Sequence, residues 1–245
     1  MQGITTFVGG QCGGSPAPLG EHVRIPWLLR DHLVDLEPYK YYPRKPYYPL
    51  EKVNEWMDQI FGWTLDWKTM GGYFDTVEKT GISINYAPLV GHGTIRTKVM
   101  GLDYKRHSEE SERAEMHELI HEAMNEGCIG MSTGLDYDPD VFADQNEIIE
   151  AVSQLKEYDG VYCPHWRRTG RRRGIAAGHT PNEKITALLE CVEVHKKTGV
   201  RLHYAHLSTG WNIHPTPPPE LEEANLKVTI DQILKDSEDE LGITW

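Results

Sequence analysis

Short β-rich runs alternate with longer helical patterns along this chain, and this alternation limits its possible folds more than any other feature. Runs rich in β-branched and other apolar residues lie at 4–8, 82–90, 128–132, 160–165 and 200–207, and a further run begins at Ile243. Helical patterns lie at 111–126, 146–158, 182–198 and 228–241. Such alternation is typical of βα units around a parallel sheet, so the sequence predicts an α/β protein.

The length of the chain and the placement of its glycines refine this prediction. The chain has 245 residues, of which 39% are hydrophobic, and this is about the usual size of a (β/α)₈ barrel. Three of the four helical patterns run up to Gly127, Gly199 or Gly242, and glycine commonly ends helices. We therefore predict one barrel-type domain over residues 1–245.

Residues 19–67 interrupt the alternation. This segment is rich in Pro, Tyr and Trp, including Pro43, Tyr48 and Trp63, and is too irregular for one helix. We predict a long loop excursion near the mouth of the barrel. Its role is open between a packed surface loop and a lid that lines the substrate site, since long loops in compact domains are usually one or the other.

The charge balance excludes some partners. Acidic residues outnumber basic ones by 37 to 25, which argues against nucleic acid or an anionic membrane as the main partner. No apolar run approaches the roughly 20 residues that span a bilayer. The 4 cysteines are far apart and no leader-like segment begins the chain, so we expect reduced thiols and a cytoplasmic location.

Three candidate metal ligands, Cys12, His165 and His206, follow or end predicted strands. Active sites of (β/α)₈ enzymes are assembled at the carboxyl ends of the strands, so these side chains are expected to meet. Taken singly, a cysteine after a strand is usually an apolar filler and a strand histidine is usually just hydrogen-bonded. One thiolate and two imidazoles suit Zn²⁺ and leave a position for water or substrate. The joint placement therefore favours a zinc site.

A second metal motif lies at His117, Glu118 and His121, which fit the H-E-x-x-H pattern of zinc peptidases. The metzincin extension of this motif requires a third histidine, and this sequence has Gly127 at that position. The alternative is a cover helix with Met116, Ile120 and their neighbours turned inward.

Two further polar residues are candidates for contacting substrate. His92 follows the second run within V-G-H-G-T at 90–94, where a substrate contact and a loop-stabilising hydrogen bond are both open. Arg167 begins an arginine cluster that continues at 168 and 171–173, which would either attract an anionic substrate or form a solvated loop.

Several motifs in one order resemble the N-acyl-D-amino-acid deacylase (D-aminoacylase) branch of the amidohydrolase superfamily. The matching stretches are G-I-T-T at 3–6, C-G-G-S-P-A-P at 12–18, L-V-G-H-G-T-I-R at 89–96, V-M-G at 99–101, G-M-S-T-G-L at 130–135, Y-C-P-H-W-R at 162–167 and H-Y-A-H-L at 203–207. The resemblance places Cys12, His165 and His206 on the family's tight zinc site. It adds Ser132 and Tyr137 as candidates for orienting substrate.

The resemblance also implies that parts of the family's site are missing from this sequence. The family has an H-x-H metal pair on its first barrel strand and a catalytic aspartate on its last, and neither has a counterpart here; Ser208 stands where the D-amino-acid enzymes have a lysine that binds the substrate carboxylate. We predict that the chain supplies roughly strands 2 to 6 and part of strand 7. Companion polypeptides would supply the remaining strands, since an open barrel exposes sheet edges. No catalytic acid is identified in this chain.

The sequence thus predicts a zinc-dependent hydrolase of a C–N bond in a small amide, an N-acyl compound or a cyclic amide, acting as one piece of a split barrel. Two alternatives remain open. One is a non-catalytic or degenerate barrel subunit. The other is a zinc peptidase that uses His117, Glu118 and His121.

Overall fold

A single parallel sheet organises the chain. The structure is a computed structural model that describes residues 3–30, 32, 47–167, 181–206, 219–220, 223–224, 227 and 243–244. Six strands lie side by side in the order β1 (Thr6–Gly9), β4 (Asn85–Gly91), β5 (Gly130–Gly134), β6 (Val161–His165), β7 (Arg201–His203) and β8 (Ile243–Thr244). Every neighbouring pair is parallel. All six predicted runs therefore contain strands, and the parallel α/β fold is confirmed.

Helices connect these strands and cover the sheet. In the described residues they are α1 (Trp27–Arg30), α2 (Leu50–Phe61), α3 (Met70–Thr80), α4 (His92–Met100), α5 (Glu110–Asn125), α6 (Gln145–Ser153) and α7 (Pro181–Thr198). The predicted helices at 111–126, 146–158 and 182–198 correspond to α5, α6 and α7. The second is shorter than predicted, because a 3₁₀ turn at Lys156–Tyr158 follows α6. The predicted helix at 228–241 lies outside the described residues.

Local sequence signals explain several helix ends. Thr69 caps α3 by accepting a hydrogen bond from Gly72, and Asp144 caps α6 by accepting one from Glu147. A reciprocal capping box between Glu109 and Glu112 begins α5. Within the described residues, no helix combines the length and the apolar character that crossing a bilayer requires.

The two faces of the sheet pack differently, as the period of two along a strand requires. Val90, Met131, Tyr162 and Leu202 point to the main core between sheet and helices. Leu89 and Cys163 belong to a smaller cluster on the opposite face. His165 shares that second face, because it lies two residues beyond Cys163. The face opposite the helices is thus the one that carries the candidate ligand.

The excursion predicted as a loop contains regular structure. Strand β2 (His22–Arg24) pairs antiparallel with β3 (Tyr47–Pro49), and α2 follows β3 directly. These elements share a hydrophobic cluster of their own, made of Leu19, Val23, Ile25, Leu29, Tyr48, Val53, Trp56, Met57 and Leu65. We call the described residues of the 19–67 segment the cap. Two three-residue strands are too short to produce a clear alternation in sequence, which is why the sequence predicted a loop.

Candidate metal centre

Three separate strand ends bring Cys12, His165 and His206 together. Cys12 lies in the loop after β1, His165 is the last residue of β6, and His206 follows β7. Cys12 Sγ is 3.3 Å from His206 Nε2, and His165 Nδ1 is 2.9 Å from the same nitrogen. One ligand atom from each residue lies within 4.8 Å of the others, and no other such group of three or more occurs in the described part of the chain.

The donor set suits a zinc ion. Bonds of about 2.3 Å to sulfur and about 2.0 to 2.1 Å to nitrogen place neighbouring ligand atoms of a tetrahedral zinc ion roughly 3 to 4 Å apart. The three side chains already approach that spacing. His165 is buried, Cys12 is partly buried and His206 is exposed, so the group is open on one side. An open position is what a catalytic zinc site needs.

The loop that carries Cys12 is held in an unusual conformation. Cys12 has φ 60° and His206 has φ 35°, both in the left-handed region that non-glycine residues rarely adopt. Gly13, with φ 71°, lies so close to Asp140 that a Cβ there would be 2.5 Å from the carboxylate. The surrounding contacts therefore impose the shape of this loop.

Hydrogen bonds from three elements fix the same loop. The Ser132 hydroxyl accepts a hydrogen bond from Gly13 N at 3.0 Å and donates one to Gly10 O. The Tyr137 hydroxyl donates to Cys12 O at 2.7 Å. From the first turn of α4, Thr94 N donates to Gly13 O at 3.1 Å. Strand β5, the turn after it and α4 thus all hold the cysteine.

A buried charge cluster lies behind the loop. His92 Nδ1 is 3.0 Å from Asp140 Oδ1, and His92 Nε2 is 3.3 Å from Glu147 Oε1. Arg96 and Ser108 also bind Glu147. Burial lowers the pKa of His92, but the two carboxylates outweigh that effect and raise it to about 9. Burial likewise raises the pKa of Glu147, but His92 and Arg96 hold it well below its usual range.

A cavity of about 680 Å³ opens in front of the three candidate ligands. The cap supplies much of its wall, and aromatic and apolar side chains dominate that contribution: Val23, Ile25, Leu28, Tyr47, Trp63, Leu65 and Trp67. Arg24 also lines the cavity, with its guanidinium carbon 5.3 Å from the centre of the Tyr137 ring. Described residues of the 19–67 segment thus line the cavity, which agrees with the lid interpretation.

The four candidate substrate contacts lie in different surroundings. Tyr137 lines the cavity and packs edge-on against the His165 ring, with 4.9 Å between the ring centres. Ser132 and His92 are fully buried and bind the loop and the carboxylates described above. Arg167 binds Glu190 at 2.9 Å and the carbonyls of Val141 and Ala143. Its neighbours at 168 and 171–173 lie outside the described residues.

Sequence reasoning missed Asp140 and Glu147. Both are almost fully buried carboxylates in or next to polar turns, where no periodic pattern announces burial. Arg96 carried a signal, because it follows His92 by four residues and so shares its helical face. A buried arginine and histidine on one face predict buried carboxylates opposite them.

The H-E-x-x-H motif lies on the outer helix α5. Both ring nitrogens of His121 have hydrogen-bond partners: Nδ1 is 2.9 Å from the Tyr158 hydroxyl, and Nε2 is 3.0 Å from Gln154 Oε1. Met116, Ile120, Ala123 and Met124 form the buried face of the helix. His117, Glu118 and His121 do not form a metal-holding group in the region that the structure describes. The geometry therefore favours the cover-helix interpretation.

Comparisons with known proteins identify relatives of part of this chain. No protein-family model matches it. D-aminoacylase of Alcaligenes xylosoxydans xylosoxydans is 34% identical over 169 residues, which are 69% of this chain and 29% of that protein. N-acyl-D-aspartate deacylase of the same organism is 35% identical over 167 residues, or 68% of this chain and 28% of that protein. The chain thus spans less than a third of these relatives.

Solved structures show the same fold. The crystal structure of D-aminoacylase, described as defining a subset of amidohydrolases, matches with a TM-score of 0.68 at 24% identity, covering 99% of this chain and 41% of that one. N-acyl-D-glutamate deacylase from Bordetella bronchiseptica, complexed with zinc and a phosphonate inhibitor, matches with a TM-score of 0.62 at 22% identity and the same coverage. The sequence matches relate this chain to one segment of proteins in the N-acyl-D-amino-acid deacylase (D-aminoacylase) branch of the amidohydrolases.

Proposed function

We propose that Cys12, His165 and His206 hold a zinc ion and that their protein is a metal-dependent amidohydrolase. Its reaction would be hydrolysis of a non-peptide C–N bond in a small N-acyl or cyclic amide. The observation that carries this proposal is the convergence of one sulfur and two ring nitrogens within 4.8 Å at one end of a parallel sheet. The relatives support it, because they are named as a D-aminoacylase and an N-acyl-D-aspartate deacylase, and a structural neighbour, N-acyl-D-glutamate deacylase, was solved with zinc.

Each part of the chain has a defined task in this proposal. A zinc ion would polarise the scissile carbonyl and acidify a bound water. The loop contacts of Ser132 and Tyr137 keep Cys12 oriented toward the two histidines. The cap supplies an apolar wall against which the organic part of a substrate packs and excludes water. Arg167, bound to Glu190, acts in this scheme as a structural cation rather than a substrate contact.

Residues outside this sequence would complete the site. The barrel assignment, with strands 2 to 6 and part of 7, leaves the acid that transfers protons to come from elsewhere. At one edge of the sheet, Ile4, Phe7 and Val8 are exposed, which is costly for an edge strand. The sequence predicted companion polypeptides; the relatives carry their further residues in one chain, so the comparisons give separate companions no support.

Metal content tests the proposal. We expect the purified protein to retain about one zinc ion per chain after dialysis, and Cys12→Ala to lose it. Cys128→Ala is the matched control, because Cys128 is buried and remote from the group. Glu118→Gln should keep both zinc and activity, whereas a peptidase centred on α5 requires the opposite. Zinc retained in Cys12→Ala, or absent from the wild type, would contradict the proposal; absence would favour the non-catalytic alternative.

Activity is measured on paired substrates. N-acetylated amino acids of both configurations, with apolar and acidic side chains, and a hydantoin are offered to wild type and Cys12→Ala. In the protein that carries the residues completing the site, free amine should be released from at least one of them by the wild type and not by Cys12→Ala. Equal turnover by both proteins would show that the chemistry does not use this centre.

A further inference from the structure

We propose that the buried pair His92 and Asp140 positions Cys12 by holding the Cys12 loop in its left-handed conformation. The contacts that link the pair to Cys12 run through the backbone of Gly134 and Gly13. The part of the proposal that concerns metal affinity rests on the proposed zinc site. The part that concerns the conformation of Cys12 does not.

The contacts form a continuous path from His92 to the cysteine. His92 Nδ1 donates to Asp140 Oδ1 at 3.0 Å, because a carboxylate only accepts there. Asp140 Oδ2 accepts from Gly134 N at 2.7 Å. A Cβ on Gly134 would lie 2.6 Å from Cys12 O, and one on Gly13 would lie 2.5 Å from Asp140 Oδ2. The carboxylate is therefore wedged between the end of β5 and the turn beside Cys12.

The two carboxylates that face His92 differ in their other partners. Glu147 is also bound by Arg96 and by Ser108, the latter at 2.7 Å. In the described region, the hydrogen bonds of the Asp140 side chain go to His92 and to Gly134 N. Loss of the Nδ1 contact would thus leave the Asp140 side chain with the single hydrogen bond from Gly134 N, whereas loss of the Nε2 contact leaves Glu147 bound by Arg96 and Ser108. The hydrogen bond from His92 Nδ1 to Asp140 is therefore the one expected to affect the conformation of Cys12.

Two substitutions separate the two sides of the ring. His92→Asn keeps an amide nitrogen near the place of Nδ1, and His92→Gln places its amide nearer Nε2. Both introduce a cavity and both are expected to lower stability. Asp140→Asn tests the other partner. His107→Asn is the matched control, because His107 forms the same kind of pair with Asp144 at 3.0 Å, but at the surface.

Thiol alkylation reports the conformation of Cys12 without any metal. Cys128, Cys163 and Cys191 are only 5%, 1% and 0% exposed, so in the native protein Cys12 reacts first. The site of modification is verified by mass spectrometry and by Cys12→Ala. Titration with Co²⁺ supplies the second readout, since a thiolate ligand gives a charge-transfer band that reports geometry as well as affinity.

We expect His92→Gln and Asp140→Asn to change the alkylation rate of Cys12 about tenfold and to weaken Co²⁺ binding about 10- to 100-fold, the usual range for residues that orient a ligand. His92→Asn should stay within about threefold of the wild type, and His107→Asn should match it. If His92→Asn and His92→Gln lose stability equally and leave both readouts unchanged, the pair is merely structural and the proposal is overturned.

The other possible outcomes distinguish the zinc proposal from the positioning proposal. If Asp140→Asn fails to fold, the comparison of the two His92 variants still applies. If the wild type binds no Co²⁺ but His92→Gln alters alkylation, the zinc proposal fails and the positioning proposal stands. If Co²⁺ binds to the wild type and to all variants alike, with unchanged alkylation, the zinc proposal survives and the positioning proposal fails.

Discussion

Cys12 occupies a backbone conformation that costs free energy for any residue with a Cβ. Left-handed φ values cost roughly 1 to 2 kcal/mol for such residues. Natural selection for stability alone would place glycine there, as it did at Gly10 and Gly13 on either side. A side chain at such a strained position agrees with a functional role for its sulfur.

Replacing Cys12 should therefore separate stability from metal binding. We predict that Cys12→Gly is more stable than Cys12→Ala by about 1 kcal/mol in the metal-free protein, because only alanine keeps the strain. Both variants should fail to bind zinc. Urea unfolding with chelator present measures the difference. The control is Glu118 in α5, where the order must reverse: Glu118→Ala should be more stable than Glu118→Gly by about 1 kcal/mol. The same order at both positions would contradict backbone strain at Cys12.

His92 should make the stability of the protein depend on pH. Its pKa is raised to about 9 in the folded protein from an ordinary value near 6.5. A group with a raised pKa stabilises fully below its unfolded value, and this contribution is lost as pH rises through the folded value. We predict that the free energy of unfolding falls by up to a few kcal/mol between about pH 6.5 and pH 9.

The measurement is denaturant unfolding across that pH range in wild type and His92→Asn. Other titrating groups are shared by both proteins, so the difference between the curves reports His92. The difference should shrink as the pH rises toward 9. Parallel curves would show that His92 is not charged in the folded state.

Arg167 should act on stability rather than on substrate. It binds Glu190 and two carbonyls of the turn after β5, while the cavity wall does not include it. We predict that Arg167→Gln lowers the free energy of unfolding by about 1 to 3 kcal/mol, because partly buried hydrogen bonds to a charged group are lost. The KM of active enzyme should stay within about twofold. A large rise in KM with unchanged stability would restore the substrate-binding role predicted from the sequence.

Among the elements, the cap supplies part of the cavity wall. Trp63 and Phe61 are neighbours at the end of α2 and are similarly exposed, at 43% and 37%. Only Trp63 lines the cavity. This pair offers a matched comparison between a cavity wall and an outer surface.

We predict that Trp63→Ala raises KM about tenfold or more for amides with a bulky apolar group, because a large contact area is lost. Substrates with a small side chain should be affected less. Phe61→Ala should leave KM unchanged for both. Equal effects of the two substitutions would show that the cap acts through general stability and not as a wall.

Some elements were predictable from sequence and others were not, for physical reasons. The strands at 128–132 and 160–165 were found because buried parallel strands are short, apolar and bounded by helices. Helix α4 was missed because its buried residues, among them His92, Ile95 and Arg96, lie on all sides of the helix. Its sequence therefore has no alternation between an apolar and a polar face. Helix α2 did carry a signal, with Val53, Trp56 and Met57 at helical spacing, but the prolines before it hid the boundary.

The same distinction applies to the candidate site. Cys12, His165 and His206 could be brought together from sequence, since parallel strands place their carboxyl ends at one edge. The burial of Ser132 and His92 could not, because it depends on how the Cys12 loop and α4 pack on β5. Sequence shows where a strand ends, whereas the partners of a side chain depend on elements far away in the chain.

At the scale of the whole molecule, this sequence supplies a sheet with a cap and one side of a site. On the edge strand β1, Phe7 and Val8 are exposed, which favours a further element packed against that edge. Cys12, His165 and His206 are the proposed ligands of the centre that this sequence contributes.

X-ray absorption at the zinc edge tests their role most directly. We predict a zinc shell with one sulfur at about 2.3 Å and nitrogen or oxygen ligands at about 2.0 to 2.1 Å. The sulfur contribution should vanish in Cys12→Ala and persist in Cys128→Ala. A zinc shell without sulfur in the wild type, or one that keeps its sulfur in Cys12→Ala, would contradict the proposed centre.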